Sequence, residues 1–576
     1  MMIMVSFLAW VPGETTKGCV VSVPSAANGD GFDQAVDVVV MGSGAAGLTA
    51  ATVAHDEGAE VLLLEKAHLF GGTTAVSGGV VWAPLNRHMN ATGDPDSREQ
   101  ALTYIRRLTL GKEPDPALVE VFVDRVGEAL AYLEDHTPVE FMIASVCTDY
   151  YADLPGGRPQ GGRSLEPKPF DAAAELGEWA SKLRTSPHLA SLTMAEGGKV
   201  LLGKPVPVEL AAERDAAGIR VLGPGLIAAL FRGVLDRGIE LRLGTAARSL
   251  IFDDQHRVIG VEVESDGRRE RIGARNGVVL ASGGFEWNSK MTRGFLGQDV
   301  KPLTPPANEG DGHRMAMQAG AQMASMTSFW GQPSLVDPTV EYEGRTLVQM
   351  GTARTIPGVI VVNEQGRRFV NEAVSYHDFP KAVSAYDPST VTYPNQRHWA
   401  IFDHRVRSTA TILPTLTPDD PTPDWMVRAD TVGELAEIIG VDRSELERTV
   451  ARWNENAAKG SDPDFGRATM WFEGYMTGGA SPEFLQPLAE GPFYALEMHH
   501  GLLGTMGGPL VTPDGQVRDW NGDPIAGLYA AGNAMACPFG DAYPGAGSTI
   551  APAITFAYLA GKHIAARSVQ LTQVAR

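Results

Sequence analysis

The stretch "DVVVMGSGAAGLTAATVAHDEGAEVLLLEK", residues 37–66, decides the fold. Its first five residues predict a short buried strand, and "VLLLEK" predicts a second strand after a helix of small residues. The turn before the helix places Gly42, Gly44 and Gly47 in GxGxxG spacing. Such glycines permit a tight turn and a close approach of the backbone to a pyrophosphate, while Glu65 can accept hydrogen bonds from ribose hydroxyls. The stretch therefore predicts a Rossmann-like dinucleotide-binding βαβ unit.

The rest of the chain indicates that this nucleotide-binding domain is discontinuous. Residues 238–288 contain a block of predicted strands that ends at Gly283 and Gly284, and "GLYAAGN" at 527–533 predicts one more strand. Both are expected to return to the sheet of the βαβ unit. The predicted fold class is α/β with an α+β insert, and the predicted segments are a disordered leader at 1–34, the nucleotide-binding domain at 35–295 and 490–570, and an inserted domain at 296–489.

Two helix starts and one long loop are predicted outside the βαβ unit. Thr431 with Glu434, and again Asp442 with Glu445, have the spacing of capping boxes and predict two helices within the insert. The Gly-rich segment 154–170 predicts a long loop. The segment is either a linker or a wall of the site, and its composition fits both.

Composition excludes several classes of protein. With 576 residues, 44% apolar and 20% charged, the chain is expected to be globular with more than one domain, and its net charge of -21 argues against a nucleic-acid partner. Cys19, Cys147 and Cys537 are far apart, which predicts neither a disulfide framework nor a thiolate metal site. The apolar stretch at 1–12 is too short to span a bilayer. We expect a cytoplasmic protein without a metal ion, and peripheral contact with a membrane stays open.

With "FGGTTAVSGG" at 70–79 and "GLYAAGN" at its far end, the chain after residue 35 resembles the fumarate reductase/succinate dehydrogenase flavoprotein superfamily. The resemblance implies FAD as the cofactor and the insert at 296–489 as the catalytic domain. It implies non-covalent binding, because the 70–79 segment lacks the histidine that succinate dehydrogenases use for attachment. The implied FAD-binding residues are Gly42, Ser43, Gly44, Ala45, Ala46, Gly47, Glu65, Lys66, Gly71, Gly72, Thr73, Thr74, Ser77, Gly78, Gly79, Ala281, Ser282, Gly283, Asp311, Gly532, Asn533, Gly547, Ser548, Thr549 and Ile550.

The groups that hold a dicarboxylate in fumarate reductases are replaced in this chain. In "RRFVNEAVSYHD", Tyr376 occupies the place of the arginine proton donor. In "LLGTMGG", Leu503 and Gly504 occupy the places of histidines, and "DAYPGAG" at 541–547 lies where the last arginine would fall. A buried dianion would be left without partners. The sequence therefore predicts that fumarate and succinate are not substrates.

The same replacements resemble the 3-ketosteroid 1-dehydrogenases. The matching motifs are "TDYYADLPGGR" with Tyr150 and Tyr151, "NEAVSYHD" with Tyr376, and "DAYPGAG" with Tyr543 and Gly547. The segments "GRSLEPKPF" and "SDPDFGRA" also resemble that family, whereas "EMHHGLLGT" departs from it. The resemblance implies FAD-dependent 1,2-desaturation of a 3-ketosteroid, with hydride leaving C1 for the flavin and a proton leaving C2. The electron acceptor and the oligomeric state stay open.

The implied reaction gives each candidate residue a role. Negative charge develops on the C3 oxygen as the C2 proton leaves, so the hydroxyl of Tyr543 and the amide of Gly547 are predicted to donate to that oxygen. Tyr376 is predicted to accept the C2 proton, with Tyr150 stabilising its phenolate. Tyr150 is preferred to Tyr151 on motif alignment alone, and simple packing is an alternative for either residue.

The sequence also offers alternatives for the base and for the reaction. His377, His499 and His500 are interpreted as structural or solvated histidines rather than bases, since no carboxylate partner is evident for them in the sequence. A 4(5α)-desaturating steroid enzyme, or another ketone or enone oxidoreductase of the same fold, is the alternative enzyme. A flavin-binding protein without turnover is the alternative outside enzymes.

Overall fold

The nucleotide-binding sheet is built around the strand Gln34–Met41. The structure, a computed structural model, describes residues 31–201, 207–413, 415–474 and 481–574. Strand Gln34–Met41 is paired in parallel on both sides, and its residues 38–40 are fully buried, as is typical of a parallel sheet with covered faces. The strand order is Gln516–Arg518, Pro524–Ala530, Arg268–Leu280, Gln34–Met41, Val61–Leu64 and Glu240–Arg242, with Val258–Ser265 joining Arg268–Leu280 to Ala246–Phe252.

The predicted βαβ unit is confirmed. Helix Ala45–Asp56 connects the first two parallel strands, and every residue from Ala45 to Ala54 is buried. The helix packs against the C-terminal helix Ile550–Val574. The block 238–288 and the segment 527–533 both contribute strands to this sheet, so the predicted return of the chain to the sheet of the βαβ unit is confirmed.

A second sheet forms the centre of the insert. Its strand order is Arg345–Met350, Phe329–Tyr342, Phe493–Thr505, His398–Asp403 and Ile360–Asn363, with Lys301–Pro302 and Val427–Ala429 also paired to Phe493–Thr505. The sequence-based boundary at 489/490 assigned strand Phe493–Thr505 to the nucleotide-binding domain. Its hydrogen bonds join the second sheet instead, because it pairs antiparallel with both Phe329–Tyr342 and His398–Asp403.

The remaining elements surround these two sheets. Short strand Ser164–Pro167 pairs with Val81–Trp82 on one side and with Phe141–Ile143 on the other. Two further pairs are Met323–Ala324 with Gly508–Pro509, and Phe170–Asp171 with Ile219–Arg220. The further α-helices are Arg98–Thr109, Pro116–His136, Ala172–Leu176, Met194–Leu201, Val208–Ala217, Leu222–Asp236, Ser289–Met291, Asp311–Gln318, Phe379–Val383, His404–Thr409, Val432–Ile439 and Arg443–Ala458.

The predictions for the two helix starts, the segment 154–170 and the leader agree with the structure to different extents. The capping box of Thr431 and Glu434 is confirmed in both directions, while Asp442 accepts from the amide of Glu445. Segment 154–170 is not wholly a loop, because Ser164–Pro167 is a strand. The leader lies outside the described residues as far as residue 30; its predicted end at 34 is too late, since strand pairing already begins at Gln34. In the described ranges, no helix has the length and apolar content needed to cross a membrane.

Candidate active site

The loops after the first two strands bring Ser43 and Glu65 together. Ser43 donates to Glu65 Oε2 from its backbone N at 3.1 Å and from its Oγ at 2.6 Å, and Ala67 N donates to Oε1 at 2.8 Å. The same Ser43 Oγ accepts from Gly71 N at 3.0 Å. Of the three bonds to Glu65, Oε1 accepts only the one from Ala67 N and can accept a further bond, so the residue retains capacity for a ribose hydroxyl.

The glycine turn forms a cradle that a side chain would fill. Gly42 has φ +107°, and a Cβ at this residue would lie 2.3 Å from the carbonyl oxygen of Ala281. A Cβ on Gly47 would lie 1.7 Å from the carbonyl oxygen of Gly42. Gly44 is the N-cap of helix Ala45–Asp56 and makes no side-chain cap. A helix N-terminus without a side-chain cap suits a pyrophosphate, so these residues fit FAD.

We predict that Gly47→Ala yields folded protein with little or no bound flavin, because the new methyl group would displace the turn at Gly42. Flavin absorbance per mole of purified protein measures this. Gly197→Ala is the matched control, since a Cβ there meets nothing within 4 Å. Full flavin content in Gly47→Ala would contradict the assignment of the turn to the cofactor.

The segment 70–79 folds over the start of the first helix. Thr74 Oγ1 accepts from Ala45 N at 3.3 Å, and Ser77 Oγ accepts from Gly79 N at 3.0 Å. A Cβ on Gly72 would lie 3.5 Å from Gly44 Cα, which shows how closely the two backbones approach. The segment therefore lies beside the glycine turn.

A buried polar group behind this segment was missed by the sequence analysis. Asn308 Nδ2 donates to Thr73 Oγ1 and to Glu286 Oε1, both at 2.8 Å. Thr304 also donates to Glu286 Oε1 at 2.8 Å, and burial raises the pKa of Glu286. Nothing in "GGFEWN" or "PPANEGDG" marks these residues, because their contacts join segments far apart in the chain.

Two predicted cofactor residues, Lys66 and Asp311, form an ion pair with each other. Lys66 Nζ lies 2.7 Å from Asp311 Oδ2 and 2.7 Å from Glu309 Oε2. Asp311 also pairs with Arg314. The pair joins the end of the second strand to helix Asp311–Gln318, whose amide at Gly312 donates to Ser282 Oγ at 3.2 Å.

Most of the remaining predicted cofactor residues lie in the part of the chain that follows strand Pro524–Ala530. Asn533 Oδ1 accepts from Trp330 Nε1 at 3.2 Å, and Ser548 Oγ donates to Gly545 O at 2.7 Å. Gly532, Asn533 and Thr549 line one cleft together with Trp330 and Thr505. A Cβ on Gly532 would meet Ala46, and a Cβ on Gly283 would meet Asn308. Ile550 is the first residue of the last helix, and Gly78 lies beside Val80.

Three tyrosines from separate loops meet beside this cleft. Tyr150 OH lies 2.6 Å from Tyr376 OH. The ring of Tyr543 stacks on Tyr150 at 5.5 Å between centroids and meets the ring of Tyr376 edge-on at 5.5 Å. Phe472 packs against both Tyr150 and Tyr376. Tyr151 points elsewhere and donates to Asp378, so the structure places Tyr150 rather than Tyr151 next to Tyr376.

The environment of Tyr543 keeps its hydroxyl protonated. Burial raises the pKa of Tyr543 to about 12, although hydrogen bonds from Tyr376, the Gly547 backbone amide and Thr549 act in the opposite direction. These contacts place the Tyr543 hydroxyl and the Gly547 N–H side by side. A neutral phenol and a neighbouring backbone amide are both donors of the kind that can stabilise a developing oxyanion.

Gly547 is a glycine for a packing reason as well. Its φ is +98°, and a Cβ there would lie 2.5 Å from Val80 O and 2.6 Å from Trp82 N. The backbone of strand Val81–Trp82 therefore occupies the side of Gly547 where a side chain would lie. The predicted role of Gly547 concerned only its amide, and this contact is a separate reason for a residue without a side chain.

Hydrogen bonds to the DAYPGAG turn hold the tyrosine loops in register. Tyr150 N donates to Pro544 O at 3.1 Å, and Tyr104 OH donates to the same oxygen at 2.7 Å. Asp149 accepts from Trp82 Nε1 at 2.8 Å and from Arg163 at 2.7 Å. The carboxylate before Tyr150 is thus fixed from two sides, which fixes the loop that carries the tyrosine.

The three histidines have environments that fit structural roles. His377 Nδ1 accepts from Gly331 N at 3.4 Å, so its Nε2 carries the proton and donates to Asp541 O at 3.1 Å. Burial lowers the pKa of His377 and of His500 to about 3, and burial also lowers the pKa of His499. Over the described ranges, no group of three or more His, Cys, Asp or Glu side chains could hold a metal ion.

Comparison with known proteins agrees with this site. A family profile described as "FAD binding domain" matches residues 37–550. The chain is 37% identical to 4-oxocyclohexanecarboxylate 2-dehydrogenase of Sinomonas cyclohexanicum, covering 92% of this chain and 93% of that protein. It is 34% identical to 3-oxosteroid 1-dehydrogenase of Mycobacterium tuberculosis H37Rv, covering 92% and 98%.

The fold is also similar to that of a solved relative. The crystal structure of 3-ketosteroid Δ1-dehydrogenase from Sterolibacterium denitrificans, in complex with 1,4-androstadiene-3,17-dione, superimposes with a TM-score of 0.85 at 34% identity. The match covers 93% of this chain and 100% of that one. The chain therefore belongs to the FAD-binding flavoprotein family that includes the 3-oxosteroid 1-dehydrogenases.

Proposed function

We propose that the protein is an FAD-dependent dehydrogenase that introduces a double bond next to a ring ketone, with a 3-ketosteroid as substrate and C1–C2 as the carbon pair. The observation that carries the proposal is the meeting of Tyr150, Tyr376 and Tyr543, whose ring centroids lie within 5.7 Å of one another, with Gly547 on the same loop as Tyr543. Tyr543 and the Gly547 amide can donate hydrogen bonds to the ketone oxygen, and Tyr376 with Tyr150 can accept the proton from the neighbouring carbon.

The ketone oxygen is assigned to Tyr543 and Gly547. The C2 proton is weakly acidic until negative charge can develop on the C3 oxygen, so donors must be aimed at that oxygen before the reaction begins. Tyr543 is 6% exposed and keeps its proton, which suits a donor that works in a dry site. Each such donor is worth about 3 kcal/mol in the barrier.

The C2 proton is assigned to Tyr376. Its hydroxyl is 2.6 Å from that of Tyr150, and a hydrogen bond donated by Tyr150 stabilises the phenolate that accepts a proton. FAD, when bound, supplies the acceptor for the hydride that leaves C1. The residues of the glycine turn and of segment 70–79 would hold it.

A smaller ring ketone is the second candidate substrate. The relative that is 37% identical is named for 4-oxocyclohexanecarboxylate, and desaturation beside the ketone of that compound needs the same polarised oxygen and the same proton acceptor. The 4(5α)-desaturation of a 3-ketosteroid is a third outcome of the same site, because the carbon pair depends on how the ring lies over the cofactor.

One experiment separates these candidates. Oxidised enzyme is mixed without oxygen with androst-4-ene-3,17-dione, with 5α-androstane-3,17-dione, or with 4-oxocyclohexanecarboxylate, and flavin bleaching is followed before the products are identified. We expect bleaching by the first compound with formation of 1,4-androstadiene-3,17-dione. Bleaching by 4-oxocyclohexanecarboxylate alone would show that the smaller ring ketone, and not the steroid, is the substrate. No bleaching by any of them would contradict both.

Non-covalent attachment is a separate prediction. Acid precipitation of the purified yellow protein should release all flavin into the supernatant as FAD, because segment 70–79 contains no histidine for a covalent bond. The absorbance of supernatant and pellet measures the two fractions. Flavin retained in the pellet would contradict this prediction.

Fumarate should neither bind nor reoxidise the reduced enzyme. Leu503, like Tyr376, packs against the core and carries no charge. A Cβ on Gly504 would lie 2.4 Å from Asn533 Nδ2, so the side chain of Asn533 occupies the space where a histidine would begin. Titration of the oxidised enzyme with fumarate should leave the flavin spectrum unchanged. Reoxidation of the reduced enzyme by fumarate would show that a dianion site exists.

A further inference from the structure

A set of side chains outside the tyrosine cluster links the three loops that carry it. Tyr151 donates its hydroxyl proton to the carboxylate of Asp378. Lys381 Nζ lies 3.0 Å from Asp378 Oδ1 and 3.4 Å from Asp541 Oδ2, and it donates to Asp541 O at 2.9 Å. We call Tyr151, Asp378, Lys381 and Asp541 the clasp.

Members of the clasp are close in sequence to the three tyrosines. Tyr151 follows Tyr150, Asp378 lies two residues after Tyr376, and Asp541 lies two residues before Tyr543. Lys381 belongs to the short helix Phe379–Val383, which follows the Tyr376 loop directly. A contact within the clasp therefore acts on the backbone beside each tyrosine.

The tyrosine hydroxyls need this kind of support because loops carry them. A reactive arrangement must be held within about 0.5 Å, and side chains on loops depend on the contacts around them for that precision. Tyr150 and Tyr376, 226 residues apart in the chain, meet through their hydroxyls and the edges of their rings. The clasp ties the same two loops a second time, and it adds the loop of Tyr543.

We propose that Asp378 and Lys381 are positioning residues that set the contact of Tyr376 with Tyr150 and its placement beside Tyr543. The inference rests on the proposed roles of the three tyrosines. Among the groups that face Tyr376 are the hydroxyls of Tyr150 and Tyr543 and the ring of Phe472. The neighbouring His377 is neutral, so the charge nearest in sequence is that of Asp378, and the next, Glu372, is paired with Arg368 and Arg467.

The clasp is exposed enough for its variants to fold. The side chains of Asp378, Lys381 and Asp541 are 35%, 36% and 32% exposed, so solvent screens their ion pairs and the pairs add little to overall stability. A change in these residues is therefore expected to alter the site rather than the fold.

The test compares Lys381→Met and Asp378→Asn with wild type. Lys381→Arg is the conservative rescue, and Lys459→Met is the matched control, because Lys459 pairs with Glu455 at 2.6 Å on the surface. The readouts are FAD content, KM, kcat across pH with androst-4-ene-3,17-dione, and the pH at which the first tyrosinate absorbance appears in the near ultraviolet without substrate. Tyr376→Phe identifies which absorbance belongs to Tyr376.

We expect kcat to fall about tenfold in Lys381→Met and Asp378→Asn, since a misplacement of about 1 Å can cost as much as a hundredfold. KM and FAD content should stay near wild type. The alkaline rise in kcat and the Tyr376 absorbance should both move to higher pH, because a loosened Tyr150 contact stabilises the phenolate less. The double variant should be little worse than either single variant, since both remove one link. Lys381→Arg should restore most of kcat.

Unchanged kcat, pH profile and tyrosinate titration in folded, FAD-loaded variants would overturn this inference, and so would a change confined to KM. Failure of the proposed function is recognised separately. If wild type does not oxidise the steroid, the tyrosinate titration still decides: a shift in Lys381→Met that is absent in Lys459→Met supports the positioning role, and no shift overturns it.

Discussion

Replacement of Tyr376 by phenylalanine is expected to reduce turnover by about a thousandfold, within the range of 10²–10⁴ that a positioned acid or base contributes. The change removes the hydroxyl that accepts the C2 proton and leaves the ring in place against Phe472 and Tyr543. The donors to the ketone oxygen, Tyr543 and the Gly547 amide, are retained. The variant should therefore bind FAD and steroid nearly as wild type does.

Single-turnover reduction of the flavin measures this effect without product release. The matched control is Tyr342→Phe, which removes a half-buried hydroxyl that donates to Thr185 O at 3.2 Å, away from the cluster. We expect the control to reduce its flavin at the wild-type rate. Equal rates in Tyr376→Phe and wild type would remove Tyr376 from the mechanism.

Replacement of Tyr543 by phenylalanine is expected to lower the rate by about 10²–10³-fold, which is the usual effect of losing one oxyanion donor. The Gly547 amide remains as the second donor, so some activity should persist. Because the lost hydrogen bond strengthens as the enolate forms, kcat should fall more than KM rises. Steady-state kinetics at several steroid concentrations separate the two parameters.

The pH profile distinguishes the two tyrosines. Burial raises the pKa of Tyr543 to about 12, so this group stays protonated and keeps donating until the pH approaches that value. A rise in activity toward alkaline pH therefore belongs to formation of the Tyr376 phenolate. The rise should persist in Tyr543→Phe and disappear in Tyr376→Phe. Loss of the alkaline rise in Tyr543→Phe would show that the titrating group is not Tyr376.

The nucleotide-binding half of the site could be predicted because its signals are local. Gly42, Gly44 and Gly47 lie within six residues, and the contact that requires glycine at 47, the 1.7 Å approach of its Cβ to Gly42 O, lies inside the same turn. The strand before them is apolar because both its faces are covered. Pattern and structure therefore coincide there.

The other half depends on contacts between distant segments. Tyr150 and Tyr151 are equivalent by composition, and only the fold directs one to Tyr376 and the other to Asp378. The boundary at 489/490 failed because "FYALEMHHGLLGT" reads as a strand that either sheet could accept. Asn308 and Lys381 carry no motif at all, and each has a partner in a distant segment, Thr73 for Asn308 and Asp541 for Lys381.

The central claim is that Tyr376 removes the proton next to a carbonyl that Tyr543 and Gly547 polarise. Exchange of the C2 hydrogens of the steroid in deuterated buffer, followed by mass spectrometry, tests it most directly. The account predicts enzyme-dependent exchange with wild type, slower exchange with Tyr543→Phe, and none with Tyr376→Phe. Exchange at the wild-type rate in FAD-loaded Tyr376→Phe would contradict it.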